Sequence, residues 1–273
     1  MTSTRGYAEV IGEPIAQSRS PAIQQFWLEA LGLDFDYRAA RVGRAELPAY
    51  LGARRADPHW RGCNVTMPLK LDALILADEA SDRAVAAGAA NLLLRKDQSV
   101  LAGNTDVGAI LDLLGPRLQQ RAGATITLLG NGGAARAVLV ALRMLGQSRV
   151  RIQARDLGEA YKLAVEFGLE VEPQRFDAPV AGDGLVNATP LGMAGFPPFT
   201  LDLSLIPPGG WVLDMVTDPA ETALIRSARQ LGLDAVDGLS MLVEQAAASF
   251  MLLFGHEAPR DQDSRLMTRL RTS

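Results

Sequence analysis

Residues 123–137 read GATITLLGNGGAARA, and the rest of the fold is legible from that stretch outward. The run from Thr125 to Gly130 is apolar and β-branched, the composition of a buried strand. Gly130, Asn131, Gly132 and Gly133 interrupt it, and an alanine-rich helical pattern runs from Ala134 to about Leu145. Glycine at a strand-to-helix turn lets the backbone bend tightly and approach a phosphate. The helix start then offers free N–H groups and partial positive charge. The spacing is Gly-x-Gly-Gly-x-x-Arg, with Arg136 at the last fingerprint position. Without a ligand this is a tight βα turn; because it opens a fresh βαβ unit, nucleotide binding is the reading taken.

Strands are expected downstream at 150–154, 169–172, 184–188 and 211–215, with helices at 157–167 and from Pro219 to about 231. Upstream, strands are expected at 8–12, 35–42, 62–66 and 91–94, with helices starting near Pro21, Ala45, Leu69 and Ser81. Pro21 suits a first helical turn, with Ser20 as its N-cap. The stretches 195–198 and 207–210 are loop signals. Helices at 239–254 and 265–271 close the chain. Alternation of this kind indicates an α/β protein with largely parallel strands.

The chain has 273 residues, which at ~150 per domain suggests two domains. Hydrophobic residues at 48% and charged ones at 21% are globular values and argue against disorder. A formal charge of −4 argues against a nucleic-acid partner, which would need a basic face. One cysteine and two histidines leave too few soft ligands for a Cys/His zinc site, so no metal is expected. No run approaches ~18 consecutive apolar residues, and the N-terminal stretch lacks the apolar core of a signal peptide. A cytoplasmic location without membrane contact is the expectation. Asn64-Val65-Thr66 and Asn187-Ala188-Thr189 match the glycosylation sequon and are taken as chance.

Other junctions carry polar residues suited to chemistry. In GCNVTMPLK (62–70) a strand ends at Thr66 and Lys70 lies in the first turn of a helix, where its ammonium faces the unfavourable end of the dipole. Alone, this motif reads as a solvated surface lysine. GNTD (103–106) places Asp106 at another helix start, where capping would also explain it. In GEPIAQSRSP (12–21), Ser18 and Ser20 would share one side of an extended segment and could grip an oxyanion. Gln245, inside an apolar helix, needs a partner if buried. After the second strand of the nucleotide unit come Arg155, Asp156 and Glu159. An acid there can hold ribose hydroxyls, and a cap at Asp156 explains the same residues equally well.

With Asn91, NATPLGM (187–193), Asp214 and DGLSMLVEQA (237–246), these segments closely resemble the shikimate/quinate dehydrogenase family, in order and over nearly the whole chain. The resemblance implies a substrate domain of 1–107 completed by 238–273, a Rossmann domain of 108–237, and a cleft between them. It implies that Ser18 and Ser20 hold the substrate carboxylate, and that Thr66, Asn91 and Gln245 hydrogen-bond its hydroxyls. Lys70 and Asp106 would form the catalytic pair. Gly130, Asn131, Gly132, Gly133 and Ala134 would cradle the pyrophosphate, Arg155 would lie near the ribose, and Met215 and Gly238 would approach the nicotinamide.

The chain departs from the pattern at several places. Thr217 stands where the family usually has a tyrosine that reaches the substrate, Gln24-Gln25 replaces His-Asn, and Gln17 replaces a frequent histidine. Ala154-Arg155-Asp156 replaces an Asn-Arg-Thr common in NADP users. With Asp156 and Glu159 beside the ribose, the expectation is NAD(P)H with NAD favoured. The expected activity is reversible reduction of 3-dehydroshikimate by a monomer or homodimer. A quinate- or aminoshikimate-type dehydrogenase, or a cofactor-binding paralogue with little turnover, stands as the alternative.

Overall fold

The computed structural model describes residues 5–119, 121, 123–197 and 199–272. Residues 1–4, and Pro198 at the end of the 195–198 loop signal, lie outside the described residues. The chain divides into two units, Met1–Thr105 with Val243–Ser273, and Asp106–Leu242.

The first unit is built from β1 (Gly6–Gly12), α1 (Ser20–Ala30), β2 (Phe35–Arg41), α2 (Leu47–Arg55), β3 (Trp60–Val65), α3 (Lys70–Leu76), β4 (Glu79–Ala80), α4 (Asp82–Ala87), β5 (Leu92–Lys96) and β6 (Ser99–Gly103). Its sheet runs β2-β1-β3-β5-β6-β4. β1 pairs in parallel with both β2 and β3. β5 runs antiparallel to β3 and β6, so the sheet is mixed. Only Asp97 and Gln98 separate β5 from β6, and Asp97 takes φ 57° to turn the chain. A link that short makes a hairpin, whereas a parallel return needs a crossover of a dozen residues. Strands β4 and β6 are short and carry no strong turn dipeptide, and the sequence pattern did not single them out.

The second unit contains α5 (Asp106–Gln119), β7 (Ile126–Leu129), α6 (Gly133–Met144), β8 (Arg149–Ala154), α7 (Leu157–Phe167), β9 (Glu170–Arg175), β10 (Gly184–Asn187), β11 (Trp211–Asp214), α8 (Ala223–Gln230) and β12 (Asp234–Val236). All six strands are parallel in the order β12-β11-β10-β7-β8-β9. From β7 the chain moves outward through β8 and β9, then returns to β10 on the other side of β7. That reversal is the topological switch point of a Rossmann sheet, where ligands bind beyond the carboxyl ends of the strands. α8 starts at Ala223, not at Pro219: Thr222 Oγ1 accepts from Ile225 N at 3.2 Å and caps it. The helix α9 (Gly238–Phe254) contains the second division of the chain, and α10 (Asp263–Thr272) ends it. Among the described residues no helix is long and apolar enough to cross a membrane.

β1 has neighbours on both edges, and Ala8, Val10 and Ile11 are buried, as a central parallel strand requires. Glu9 is buried in the same strand at 1% exposure. Its carboxylate accepts from Arg54 at 2.7 and 3.0 Å, Tyr50 at 2.6 Å and Arg38 at 3.1 Å. Burial alone would raise its pKa, but the bonds from Arg54 and Tyr50 and the Arg54 charge outweigh that and hold it below the ordinary carboxylate value. A depressed folded pKa contributes stability above the unfolded pKa, and that contribution is lost as pH falls through the folded value. Glu9→Gln should therefore destabilise the protein by about 3 kcal/mol at neutral pH. In urea unfolding across pH, its deficit against the parent should shrink as the medium is acidified through the carboxylate range. A pH-independent deficit would contradict a charged Glu9.

Candidate active site

The polar residues of the first unit gather at the ends of β3 and β6. Thr66 N donates to Ile11 O at 2.9 Å and Glu13 N to Met67 O at 3.0 Å, tying the segment after β3 to the end of β1. Lys70 opens α3, and its carbonyl accepts from Ala90 N at 2.7 Å. The next residue, Asn91, is buried, and its main chain joins Val65 (2.7 Å) to Gly103 (3.1 Å). Its side-chain Oδ1 accepts from Thr105 N at 2.7 Å, while Nδ2 donates to Thr105 Oγ1 at 2.9 Å and Gln245 Oε1 at 3.5 Å. Asn91 thus fixes the end of β3 through its main chain, and the residue before Asp106 and Gln245 on α9 through its side chain.

Further buried groups complete this network. Thr105 Oγ1 lies 3.4 Å from Gln245 Oε1 and 3.2 Å from Ser249 Oγ, and Ser249 Oγ donates to Gln245 O at 3.0 Å. Asn64 Nδ2 donates to Ser249 Oγ at 2.8 Å, and Tyr37 donates to Asn64 Oδ1 at 2.7 Å. The partner that Gln245 needs when buried is therefore Asn91 with Thr105. Sequence reasoning did not assign Tyr37, Asn64, Thr105 or Ser249 to the site. Asn64, whose sequon is read as chance, is buried and bonded through its side chain to Tyr37 and Ser249.

The serine segment differs from the extended strand expected. Ser18 N donates to Ile15 O at 3.0 Å, closing a turn, and α1 begins directly at Ser20. Arg19, with helical dihedrals, holds the N-cap position and makes no side-chain cap bond, so Ser20 is not the cap. The two serines are adjacent by another route: Ser18 Oγ accepts from Ser20 N at 3.4 Å, which puts it on the first turn of α1. Asp106 is buried and is the first residue of α5, where a carboxylate suits the helix dipole.

In the second unit, Gly130 takes φ +100°, a conformation disfavoured for residues with a side chain. Its N–H donates to Gln153 O at 2.9 Å, and a Cβ there would sit 3.0 Å from Thr189 Cγ2. Gly132 is the N-cap of α6 without a side-chain cap bond, and a Cβ there would meet nothing within 4 Å. Asn131, Gly132, Gly133 and Ala134 thus lie at the start of a 12-residue helix that has no side-chain cap, with open space at Gly132. Uncapped N–H groups there fit a pyrophosphate. Arg136 is not part of that cradle: it forms a two-pronged pair with Glu166 on α7 at 2.6 and 2.7 Å.

Beyond β8, Arg155 is exposed and has no ion pair among the described residues. Asp156 Oδ1 accepts from Gly158 N at 2.8 Å and Glu159 N at 3.1 Å, so it caps α7. Glu159 pairs with Lys162 at 2.5 Å. Met215 N donates to Asn187 O at 3.0 Å. A side chain at Gly238 would overlap Val216 O and crowd the Met215 carbonyl carbon, so only glycine lets this loop lie on the start of α9. Met215 and Gly238 are thereby brought together. Thr217 follows, half-buried, with no hydrogen bond from its hydroxyl among the described residues.

Residues 10–93 match the family described as the shikimate dehydrogenase substrate binding domain, and 238–263 match the shikimate 5'-dehydrogenase C-terminal domain. A shikimate dehydrogenase (NADP(+)) of Sphingopyxis alaskensis is 46% identical over 266 residues, covering 97% of this chain and 96% of the relative. The chain belongs to the shikimate dehydrogenase family. The solved shikimate 5-dehydrogenase of Thermus thermophilus, in complex with NADP(H) and shikimate, is 34% identical with a TM-score of 0.84, covering 97% of this chain and 99% of the other. The quinate dehydrogenase of Corynebacterium glutamicum in complex with NAD is 30% identical, TM-score 0.82, with 98% of each chain covered.

Asn91→Ala would strip the buried Thr105 N–H of its acceptor and take one donor from Gln245 Oε1, which keeps Thr105 Oγ1. An orphaned buried group costs about 1–3 kcal/mol, so urea unfolding should show a loss of about 1–3 kcal/mol. A loss below about 0.5 kcal/mol, the ordinary scatter of surface changes, would show that Asn91 does not hold this network.

Proposed function

We propose that the chain is a shikimate dehydrogenase that interconverts shikimate and 3-dehydroshikimate with NADP(H). The observation that carries this reading is the Asn91 network. Ala90 N holds the Lys70 carbonyl at the start of α3, and the side chain of the next residue, Asn91, holds the residue before Asp106. Family membership supplies the substrate, because the relatives that span the chain are named for shikimate and NADP(+). In this reading 1–107 with 238–273 bind the substrate and 108–237 bind the nucleotide.

NADP(H), when bound, takes up or delivers the hydride at the ring carbon that bears the reacting oxygen. Lys70 and Asp106 act as a pair on that oxygen. In oxidation they accept the hydroxyl proton, and in reduction they return it to the forming alkoxide, whose charge the Lys70 ammonium also stabilises. Ser18 and Ser20 grip the substrate carboxylate with neutral hydroxyl donors, supported by the freedom of the Ser20 hydroxyl from other bonds among the described residues. Thr66, Asn91 and Gln245 hydrogen-bond the ring hydroxyls, with Thr217 in the place of the family tyrosine.

The cofactor preference turns on residues 155–159. Asp156 and Glu159 suggested NAD from sequence, but one carboxylate caps α7 and the other pairs with Lys162. Arg155 is left as an exposed cation at the end of β8 with no ion pair among the described residues, which favours a 2′-phosphate. The geometry supports NADP(H) over NAD(H). A binder with little turnover is disfavoured because it has no need of Lys70 and Asp106.

Two variants test the reading. Lys70→Ala should cut kcat for shikimate oxidation by about 10²–10⁴-fold while leaving the Kd for NADP⁺ unchanged. Near-normal turnover would remove Lys70 from the chemistry. Arg155→Ala should raise KM for NADP⁺ about tenfold, equivalent to one lost charge-assisted bond, and leave that for NAD⁺ alone. An equal effect on both dinucleotides would exclude a 2′-phosphate contact.

A further inference from the structure

The second unit holds a buried carboxylate that the reaction above does not use. Asp214, the last residue of β11, is 1% exposed and has no cation partner among the described residues. Its Oδ1 accepts from Asn187 Nδ2 at 2.9 Å and Val216 N at 3.2 Å, and its Oδ2 accepts from Thr222 Oγ1 at 2.6 Å. Burial raises its pKa above the ordinary carboxylate value, opposed by the bonds from Thr222, Val216 and Asn187. A buried acid without a cation is costly to keep, so what it holds is informative.

It holds two loops. Through Asn187 it reaches the loop after β10: Asn187 Oδ1 accepts from Thr189 N at 3.1 Å and Thr189 Oγ1 at 2.7 Å, and Thr189 Oγ1 accepts from Leu191 N at 3.2 Å. That loop backs the Gly130 turn, since Thr189 Cγ2 and Ala188 O are the atoms nearest to a Cβ at Gly130. Through Val216 and Thr222 it fixes both ends of the loop after β11, which carries Met215 and Thr217. β7, β10 and β11 are neighbours, so both loops leave the same edge of the sheet at the switch point.

We infer that Asp214 is a positioning residue for dinucleotide binding: one carboxylate at the end of β11 sets both the loop behind the Gly130 turn and the loop bearing Met215. The inference rests on the dinucleotide reading of the Gly130–Ala134 turn. It acts through other residues and needs no contact of its own with the cofactor.

The test uses full-length Asp214→Ala and Asp214→Asn. NADP⁺ and shikimate are titrated separately by calorimetry, and amide exchange is followed at Thr189, Leu191 and Val216 without ligand. Asp214→Ala should weaken NADP⁺ about tenfold and Asp214→Asn, which keeps an oxygen acceptor, about threefold, with shikimate within about twofold of the parent. The three amides should exchange faster in both. A folded Asp214→Ala with an unchanged NADP⁺ Kd, or with both ligands weakened alike, overturns the inference. If Asp214→Ala does not fold, Asp214→Asn decides by the same criteria. A parent chain that binds shikimate but not NADP⁺ would instead contradict the dinucleotide reading. The exchange rates then decide alone, unchanged rates overturning the positioning role.

Discussion

A buried amide must find partners for its donors and acceptor, and in the first unit that requirement organises the site. Asn91 cannot be solvated, so its side chain takes Thr105 and Gln245, while its main chain joins β3 to the end of β6. Each partner belongs to a different element. Satisfying this one residue, main chain and side chain together, therefore fixes where β3 ends, where α5 is about to start, and which face of α9 turns inward. The residues read as chemical stand at those places. The geometry follows from hydrogen-bond satisfaction in an apolar setting, where a missing bond is costly and a one-residue slip would break several.

The second unit uses the same device with a charge added. Asn187, fully buried at the end of β10, is held by Asp214 on one side and holds Thr189 on the other. In both units an asparagine at the carboxyl end of a parallel strand precedes a threonine by two residues, as Asn64 precedes Thr66. For Asn187 that spacing forms a local Asx-type turn as the chain leaves the sheet. Loops that carry the proposed binding groups are thus held from beneath by buried polar pairs.

Much of this was legible in the sequence, and the reasons for the rest are physical. The parallel sheet around 123–137 could be read because βαβ units leave long periodic segments and a glycine turn between them. The hairpin at Asp97 could not, because two residues with no strong turn signal decide whether a strand runs parallel or antiparallel. The helix cap lies at Thr222 and not at the expected Pro219, since both residue types open helices and only the bond to Ile225 distinguishes them. At the site, the family resemblance pointed to Lys70, Asp106, Asn91 and Gln245, which local residue patterns alone left as surface, cap or core groups. The supports Tyr37, Asn64, Ser249 and Thr222 are contacts between distant segments and leave no local pattern. The sequence leaves Asp156 and Glu159 open between cap and ribose, because a carboxylate at a helix start serves either; in the structure Asp156 caps α7 and Glu159 pairs with Lys162.

The most direct test of the account is an initial-rate matrix of shikimate and quinate against NADP⁺ and NAD⁺ with the unmodified chain. The account predicts the highest kcat/KM for shikimate with NADP⁺, exceeding each of the other three combinations by about tenfold or more. A highest value for quinate, or for either acid with NAD⁺, would contradict it.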